Sequence, residues 1–387
     1  MTTTASFDAI VIGAGAVGLS AAKTLARRGK RTLVLESGQL FHEYGSSSGA
    51  ERHFRVQYSQ EDLSRLALES QDAWRGLESE AERRLVYPVG SLWFGDTEVE
   101  TNEGQIASAA RVMDKLDIPY EWYTASELET RFGFANLPRH YAGFRQPDGA
   151  VVDVKGTLLA LYELATRAGA RVEPRSAARS IERAADGLVV TAESGRFRAP
   201  AVVVAAGAGT ADLLAPLGVP VDYRVFEMAD LGFSPAGPVP GMPFWFAFQQ
   251  PEPEDTNLFY GFGPRPWSPA GHCRVAPDFE IDELDRAATP ALCPRERDVR
   301  RVREWVARHM PMLAPEPVHT STCLAVLPSD PRRQLYLGPV TADLGGSRLA
   351  VFAAGWGFKF VPTLGRVLAD WACTGDTDLD VKRLSLS

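Results

Sequence analysis

The chain has 387 residues, 45% of them hydrophobic and 23% charged, and its formal net charge is −8 at pH 7. The negative charge gives no electrostatic support to a nucleic-acid-binding role, and no apolar run reaches the roughly 18 residues that a membrane span needs. The four cysteines and six histidines are scattered without disulfide or metal-binding spacing, and the N-terminus shows no leader pattern, so we expect no metal and a cytoplasmic location.

The first predicted element is a strand–turn–helix–strand unit over residues 8–36. An apolar run is followed by Gly13, Gly15 and Gly18 in G-x-G-x-x-G spacing, then by a helix-periodic segment and a second apolar run that ends at Glu36. In such a unit the glycines allow a tight turn and close approach of a pyrophosphate, and the acid accepts ribose hydroxyl hydrogens. Because a carboxylate there disfavours a 2′-phosphate, the pattern predicts FAD or NAD rather than NADP. The alternative is a glycine-rich turn in another kind of α/β protein.

A polar stretch, residues 37–49, follows and leads into the segment GSSSGAERHFR. Ser47 and Ser48 are small hydroxyl residues that can approach a cofactor closely. Arg52, a few residues later, can bind an anion through its guanidinium group. The alternative for most of this stretch is a solvated loop.

The remaining elements are predicted from the spacing of apolar residues. A segment at 150–172 has strand-then-helix character, and strands between 220 and 300 predict an antiparallel sheet suited to forming a substrate wall. Helices are predicted at 61–85, 105–132 (two, separated at Pro119), 296–309 and 364–372. Strands are predicted at 86–94, 177–199 (a hairpin), 201–206, 223–233, 243–249, 257–263, 272–275 and 348–353.

These elements predict an α/β fold class with two parts. The buried strand at 201–206 ends in AAGAGT, where Gly207 is predicted to approach the cofactor as the first glycines do. Val172, at the end of the segment 150–172, is also predicted to contact the cofactor. The predicted parts are a discontinuous Rossmann-type nucleotide-binding domain (residues 1–85, 146–219 and 319–387) and a substrate domain with a mainly antiparallel sheet (86–145 and 220–318).

On its motifs the chain resembles the FAD-dependent amine oxidoreductases of the D-amino-acid oxidase superfamily, and within it the monomeric sarcosine oxidase group. Four matches carry the resemblance: GAGAVG with its acid, GSSSGAERHFR with Arg52, TSTCLAVLPSD with Cys323, and GWGFKF with Gly355, Gly357 and Lys359. The resemblance implies bound FAD and a substrate carboxylate held by Arg52 and Lys359. It also implies a covalent bond from Cys323 to the flavin, although the residues after Cys323 depart from the family pattern. A free buried cysteine with non-covalent FAD is the alternative.

The segment GHCRVA differs from the family, which has a lysine there that promotes the reaction of reduced flavin with oxygen. Arg274 takes that place, and the alternative is that Arg274 pairs with an acid such as Asp278 or Glu280. Aromatic residues cluster in the segments expected to face the flavin. Those predicted to line the substrate pocket are Trp245, Phe259 and Trp356, which suit an apolar or ring-bearing substrate.

The resemblance implies oxidation of a C–N bond in a secondary or cyclic amine or amino acid, giving an imine and, through O2, hydrogen peroxide. It also implies a monomer whose partners are a small-molecule substrate and O2. Three alternatives stay open on the sequence alone. They are a flavin dehydrogenase with an acceptor other than O2 or an atypical biosynthetic oxidation, motivated by Arg274; a non-catalytic flavin-binding partner subunit; and an NAD-dependent dehydrogenase, which the motifs at 205–210 and GWGFKF disfavour.

Overall fold

The computed structural model describes residues 4–239, 241–252, 257–265, 267, 271–278, 283–285, 291–330, 333 and 335–381. Glu280, named above as a candidate partner of Arg274, lies outside these residues. Among the described helices, none combines the length and apolar character required to cross a membrane. The helices are α1 (Ala16–Arg27), α2 (Glu61–Ala81), α3 (Ile106–Lys115), α4 (Ala125–Phe132), α5 (Val154–Arg167), α6 (Thr210–Leu214), α7 (Glu296–His309) and α8 (Val361–Cys373).

The strands form four sheets within the described residues. In chain order they are β1 (Ala5–Ser6), β2 (Ala9–Ile12), β3 (Thr32–Leu35), β4 (Glu51–Phe54), β5 (Val86–Pro88), β6 (Ser91–Gly95), β7 (Glu121–Thr124), β8 (Ala142–Gln146), β9 (Ala150–Asp153), β10 (Arg171–Glu173), β11 (Ala178–Ala184), β12 (Gly187–Ala192), β13 (Gly195–Ala199), β14 (Ala201–Val204), β15 (Tyr223–Pro235), β16 (Phe244–Phe248), β17 (Leu258–Phe262), β18 (Cys273–Pro277), β19 (Glu283–Leu284), β20 (Leu313–Pro328), β21 (Leu335–Pro339) and β22 (Arg348–Gly355).

A six-stranded sheet, in the order β10-β3-β2-β14-β22-β21, is parallel except at its last strand. Strands β2, β3 and β14 are buried at every position because both faces of the sheet are covered. On one face Ala9 and Val11 join the core that contains α1, α5 and α8. On the other face Ile10 and Ile12 pack with residues of β11 and β12. Near-continuous apolar runs therefore mark these strands in the sequence.

A larger sheet, in the order β19-β15-β18-β17-β16-β6-β8-β7 with β20 paired to β15, carries the second half of the site. Its pairs are antiparallel, except for the parallel pair of β16 and β6. Alternate residues point to opposite faces of a strand. On β16, Phe246 belongs to the same core as α1, α5 and α8, whereas Trp245 belongs to a separate core under α4 and α7.

The predicted α/β class is confirmed, and several elements match closely, among them the helix predicted at 296–309, which is α7. The two helices predicted within 105–132 are α3 and α4. Three local features were missing from the prediction. The run 86–94 is two strands, β5 and β6; a strand, β7, lies between the two helices predicted within 105–132; and the long strand β20 was not predicted. The first half of β20 is polar and largely exposed, so it lacks the apolar alternation that would mark it as a strand.

Candidate active site

The glycine-rich turn between β2 and α1 brings backbone close to backbone. Gly13 has φ of 103°, and a Cβ atom on it would lie 2.3 Å from the carbonyl oxygen of Ala205. A Cβ on Gly18 would lie 2.0 Å from the carbonyl oxygen of Gly13, so helix and turn pack as only glycine permits. Helix α1 begins after Gly15 without a side-chain cap. The turn is therefore built as an anion-binding helix N-terminus.

Glu36 stands at the end of β3, 6% exposed. Its carboxylate accepts hydrogen bonds from the Ala14 N–H at 2.7 Å and the Gly38 N–H at 2.9 Å, and the Nε2 atom of His42 lies 3.4 Å away. Burial acts to raise the pKa of Glu36, but the hydrogen bonds from His42, Gly38 and Ala14 outweigh it and lower the pKa to about 2. Glu36 is therefore a fixed carboxylate at neutral pH.

A groove runs from Glu36 past the glycine turn and opens into a second cavity. The groove is lined by Gly13, Gly15, Glu36, Ser47 and Gly207 among others, and the cavity by Arg52, Cys323, Gly357, Trp356 and Lys359 among others. The two share wall residues: Ala16, Val17, Ser46, Ser47, Leu324, Val326, Phe352 and Gly355. The space suits one elongated ligand with an anionic middle. This lining fits FAD, a long ligand with a pyrophosphate in its middle.

Three predicted cofactor-binding residues do not line this space. Gly18 supports the turn from the helix side. Ser48 is buried, and its hydroxyl donates to the carbonyl of Gly45 at 2.7 Å. Val172 lies in β10 opposite Val34 of β3, beside the strand that ends at Glu36.

Lys359 belongs to a 3-10 turn, Gly357–Phe360, that leads into α8. Its side chain is 3% exposed, and its Nζ atom has no hydrogen-bond partner in the part of the chain that the structure describes. Nζ lies 5.4 Å from the ring centroid of Tyr58 and 5.9 Å from that of Trp356. Burial, and then the charge of Arg55, hold the pKa of Lys359 well below its usual range, while Glu103 acts in the opposite direction.

Three N–H donors of Arg52 are directed to backbone carbonyls, and the side chain also lines the cavity. Its Nη2 atom donates to the carbonyls of Ser46 at 3.1 Å and Ser48 at 2.9 Å and lies 3.7 Å from Cys323 Sγ. Its Nη1 atom donates to the carbonyl of Glu51 at 2.8 Å. Cys323, on β20, is 6% exposed. The structure thus brings together Arg52, Cys323 and the serine-rich loop.

A buried ion pair behind Lys359, formed by Arg55 and Glu103, could not be predicted from the sequence. Arg55 is fully buried, and its Nη1 atom lies 2.6 Å from Glu103 Oε2. The guanidinium lies over the rings of Tyr58 at 4.6 Å and Trp93 at 4.9 Å. Arg55 closely follows Arg52, so spacing alone could not tell which of the two enters the core. Glu103 was not predicted at all.

Arg274 reaches the cavity from β18 and is 3% exposed. Its Nε atom lies 3.0 Å from Asp230 Oδ1, its Nη2 donates to the Tyr260 hydroxyl at 3.4 Å, and its Nη1 lies 4.0 Å from Glu51 Oε1. Burial opposes its charge, but Asp230, Tyr260 and Glu51 raise the pKa of Arg274. Glu51 also pairs with Arg265. Arg274 is thus a permanent cation held between two acids.

The structure corrects the predicted aromatic wall. Trp245 and Phe259 lie on the far face of the sheet, where their rings stack on Trp305 of α7 at 5.0 and 5.1 Å. Phe246 and Tyr260, one residue later on each strand, line the cavity and stack on each other at 5.5 Å. Successive strand residues alternate between faces, so an error of one residue reverses the assignment. Of the three predicted aromatics, only Trp356 lines the cavity.

His53 also lines the cavity, although the sequence analysis did not predict it as a site residue. Its ring packs on Phe244 at 5.2 Å and Phe246 at 5.1 Å, and its Nε2 atom has no hydrogen-bond partner among the residues that the structure covers. Burial lowers the pKa of His53, and so do the cations around it, first Lys359 and Arg55 and then Arg52 and Arg274. The imidazole is therefore neutral at neutral pH.

Comparison with known proteins identifies the family to which the chain belongs. Residues 8–371 match the family described as FAD dependent oxidoreductase, or DAO. The chain belongs to this family. Monomeric sarcosine oxidase of Bacillus sp. (strain B-0618) is 25% identical over 397 residues, which cover 98% of this chain and 96% of that protein. Peroxisomal sarcosine oxidase of Homo sapiens is 28% identical over 377 residues, covering 94% and 91%. An amine oxidase of Dictyostelium discoideum described as bifunctional is 28% identical, and the chain spans 37% of its length.

Two solved structures show the same fold. NikD, described as an unusual amino acid oxidase essential for nikkomycin biosynthesis, superposes in its open form with a TM-score of 0.94 and 51% identity, covering 99% of this chain and 98% of that one. Glycine oxidase of Geobacillus kaustophilus, at 20% identity, shares the fold with a TM-score of 0.79 over 99% of each chain. The chain is therefore an FAD-dependent oxidase of amines or amino acids of the sarcosine oxidase-like type. The predicted family, fold and reaction class are confirmed, and its partners include a small-molecule substrate and O2.

Proposed function

We propose that this oxidase acts on a cyclic or secondary amino acid whose carboxylate binds to Lys359. One observation carries the proposal: the amino group of Lys359 is buried at the cavity wall without a hydrogen-bond partner among the described residues. An unpaired buried cation costs folding free energy, and an anionic ligand offsets that cost. Phe246, Tyr260 and Trp356 supply flat apolar walls around it, which suit a ring-bearing substrate.

The same charges determine the form in which the amine binds. Arg52, Arg274 and Lys359 line the cavity and Arg55 lies beside it. Arg55 pairs with Glu103 and Arg274 with Asp230, whereas Arg52 and Lys359 form no ion pair within the described residues. A substrate ammonium would be repelled there, so the site favours the neutral amine, whose lone pair is then available. The neutral imidazole of His53 adds no further charge. No side-chain base is then required to remove a proton from the bound amine.

Arg52 receives a different role in this proposal from the one predicted. Three of its five N–H donors are used by the carbonyls of Ser46, Ser48 and Glu51, whereas Lys359 Nζ has no hydrogen-bond partner among the described residues. We therefore assign the substrate carboxylate to Lys359, with the charge of Arg55 behind it. Arg52 instead holds the serine-rich loop against Cys323. Arg274 provides the fixed positive charge that the resemblance assigns to the oxygen reaction.

The groove and cavity residues would hold FAD. The turn at Gly13 and Gly15 would face its phosphates and Glu36 its ribose. We propose that Cys323 would attach it covalently through Sγ: the thiol hydrogen and one hydrogen of a flavin methyl group would be exchanged for a C–S bond, and the two electrons released would pass to O2. FAD, when bound, supplies the redox chemistry, accepting two electrons from the C–N bond and passing them to O2. The monomeric state, the cytoplasmic location and the division into two domains stay predictions.

Acid precipitation tests the attachment. We expect yellow colour in the pellet of the wild-type protein and in the supernatant of Cys323→Ser. Cys273→Ser is the matched control: Cys273 is also buried, with its pKa raised by burial to about 12, but it does not line the cavity. Yellow supernatant from wild type would remove the covalent bond and leave FAD binding intact.

Steady-state peroxide production tests the substrate class. We expect proline or pipecolate to yield peroxide and the corresponding ring amines without a carboxylate, pyrrolidine and piperidine, to yield far less. The expected ratio in kcat/KM is about 10- to 150-fold, which corresponds to about 1.5–3 kcal/mol for a hydrogen bond to a charged group. Equal activity with acids and amines would refute the carboxylate role.

A further inference from the structure

The turn that carries Lys359 is held from behind by helix α2. The indole N–H of Trp74 donates to the backbone carbonyl of Lys359 at 2.8 Å, and both residues are buried. One helical turn earlier, the Ser70 hydroxyl lies 2.9 Å from that of Thr363, at the start of α8. Two hydrogen bonds from one face of α2 therefore reach the turn and the helix that follows it.

We propose that Trp74 is a positioning residue for substrate binding: its indole N–H fixes the turn that directs the Lys359 ammonium into the cavity. The proposal rests on the carboxylate role of Lys359 proposed above. It adds a residue on another element, outside the cavity, on which that role depends.

The contact is polar and specific, and not only a matter of filling space. A buried indole N–H needs an acceptor, and its acceptor here belongs to the residue whose side chain forms the site. The turn has little freedom on its other side, where a Cβ on Gly357 would lie 2.6 Å from the ring of Phe352. Phe360, next in the chain, packs on Tyr58 at 6.1 Å. Phenylalanine at position 74 would fill most of the same volume and lose the donor, and the loss of ring volume is matched by the same change at Trp305.

Helix α2 is itself a rigid support. Glu78, one turn after Trp74, accepts hydrogen bonds from the backbone N–H groups of Leu85 at 2.7 Å and Val86 at 2.8 Å. Glu80 pairs with Lys23 of α1 at 2.9 Å. The helix is thus tied to the start of β5 and to the nucleotide-binding helix. A charged group whose position is fixed to within about half an ångström of the geometry needed for binding binds its partner better than one that is free to shift.

The test uses the holoenzyme and benzoate, a flat carboxylate, with benzamide as its uncharged counterpart. Binding is followed by the change in flavin absorbance, and unfolding is followed separately by calorimetry. We expect Trp74→Phe to raise the Kd of benzoate about 3- to 10-fold and to leave benzamide unchanged, as loss of one hydrogen bond allows. Trp305→Phe is the matched control, because Trp305 is also buried and its indole donates a partly buried hydrogen bond, to Gln249 at 3.1 Å, in a separate core.

A double-mutant cycle with Lys359→Met shows whether the effect passes through the lysine. We expect Trp74→Phe to have no further effect on benzoate in the Lys359→Met background. An unchanged Kd in Trp74→Phe, an equal change in Trp305→Phe, or the same change in both backgrounds would overturn the inference. If Lys359→Met itself leaves benzoate binding unchanged, the proposed function is wrong as well. If only Trp74→Phe leaves it unchanged, the inference about Trp74 is wrong and the proposed function stands. If Trp74→Phe does not fold, Ser70→Ala removes the neighbouring hydrogen bond and is held to the same criteria.

Discussion

Replacing Lys359 by methionine separates the two effects of a buried ammonium, its use in binding and its cost in folding. Methionine has nearly the length of lysine and no charge, so the change removes the cation and leaves the packing largely intact. Because Nζ is buried without a hydrogen-bond partner in the described residues, its removal takes away an unfavourable term. Replacing a buried ion pair by apolar residues of similar volume is often neutral or stabilising by about 1–4 kcal/mol. Lys359 has no hydrogen-bond partner to leave behind among the described residues, so we expect Lys359→Met to be neutral to stabilising as well.

The same change removes the group that attracts a carboxylate. A hydrogen bond to a charged group contributes about 1.5–3 kcal/mol, so we expect the Kd of benzoate to rise about 10- to 150-fold in Lys359→Met. The assays are benzoate titration of the flavin absorbance and denaturant unfolding of the same preparations. Stability and affinity should therefore move in opposite directions.

A second lysine provides the control. Lys23 is 12% exposed and pairs with Glu80 at 2.9 Å, so Lys23→Met breaks an ion pair far from the cavity. It should leave benzoate binding unchanged and bring no gain in stability. If Lys359→Met destabilises the protein and binds benzoate as the wild type does, the reasoning about this buried cation is refuted.

Three further predictions concern pH, the nucleotide end of the groove and the aromatic wall. Because only the ammonium attracts a carboxylate, benzoate affinity should fall as pH rises through the lowered pKa of Lys359, and Lys359→Arg should remove this dependence. Glu36→Gln should lower the free energy of unfolding by roughly 3 kcal/mol above pH 4.5, and this difference should shrink as pH falls toward 2, where the folded carboxyl takes up its proton. Phe246→Leu should weaken benzoate binding, whereas Trp245→Leu should mainly lower the melting temperature, because the two side chains point to opposite faces of β16.

Each of these has a clear contrary result. A benzoate affinity that stays flat with pH in the wild type would mean that Lys359 is not the group that titrates. An effect of Glu36→Gln that stays constant down to pH 2 would mean that its lowered pKa does not contribute to stability. If Trp245→Leu weakens benzoate binding more than Phe246→Leu does, the face assignment of the sheet is wrong.

The nucleotide-binding half could be predicted from sequence because its signals are local. Each feature follows from a short sequence pattern that has a single structural interpretation. These features are the turn at Gly13 and Gly18, the acid Glu36 and the fully buried strands β2 and β14. The helix α7 was equally clear, since its apolar residues recur at helical spacing between charged ones.

The substrate half was harder because its side chains are sorted by long-range contacts. Whether Phe246 or Trp245 faces the cavity depends on which face of β16 meets the helices, and nearly every residue of that strand is aromatic. Arg52 and Arg55 lie on one short segment. Only the three-dimensional positions of the loop carbonyls and of Glu103 show that Arg52 binds the backbone and that Arg55 enters the core. The partner of Arg274, Asp230, is 44 residues away on β15, and no local pattern connects them.

The most direct test of the account is an anaerobic titration of the yellow holoenzyme with proline and pipecolate, followed by admission of air. We predict that at least one of these amino acids bleaches the flavin absorbance. Admission of air should restore the absorbance and yield about one hydrogen peroxide per flavin. Flavin that stays oxidised under excess cyclic and N-methylated amino acids would contradict the proposed substrate class.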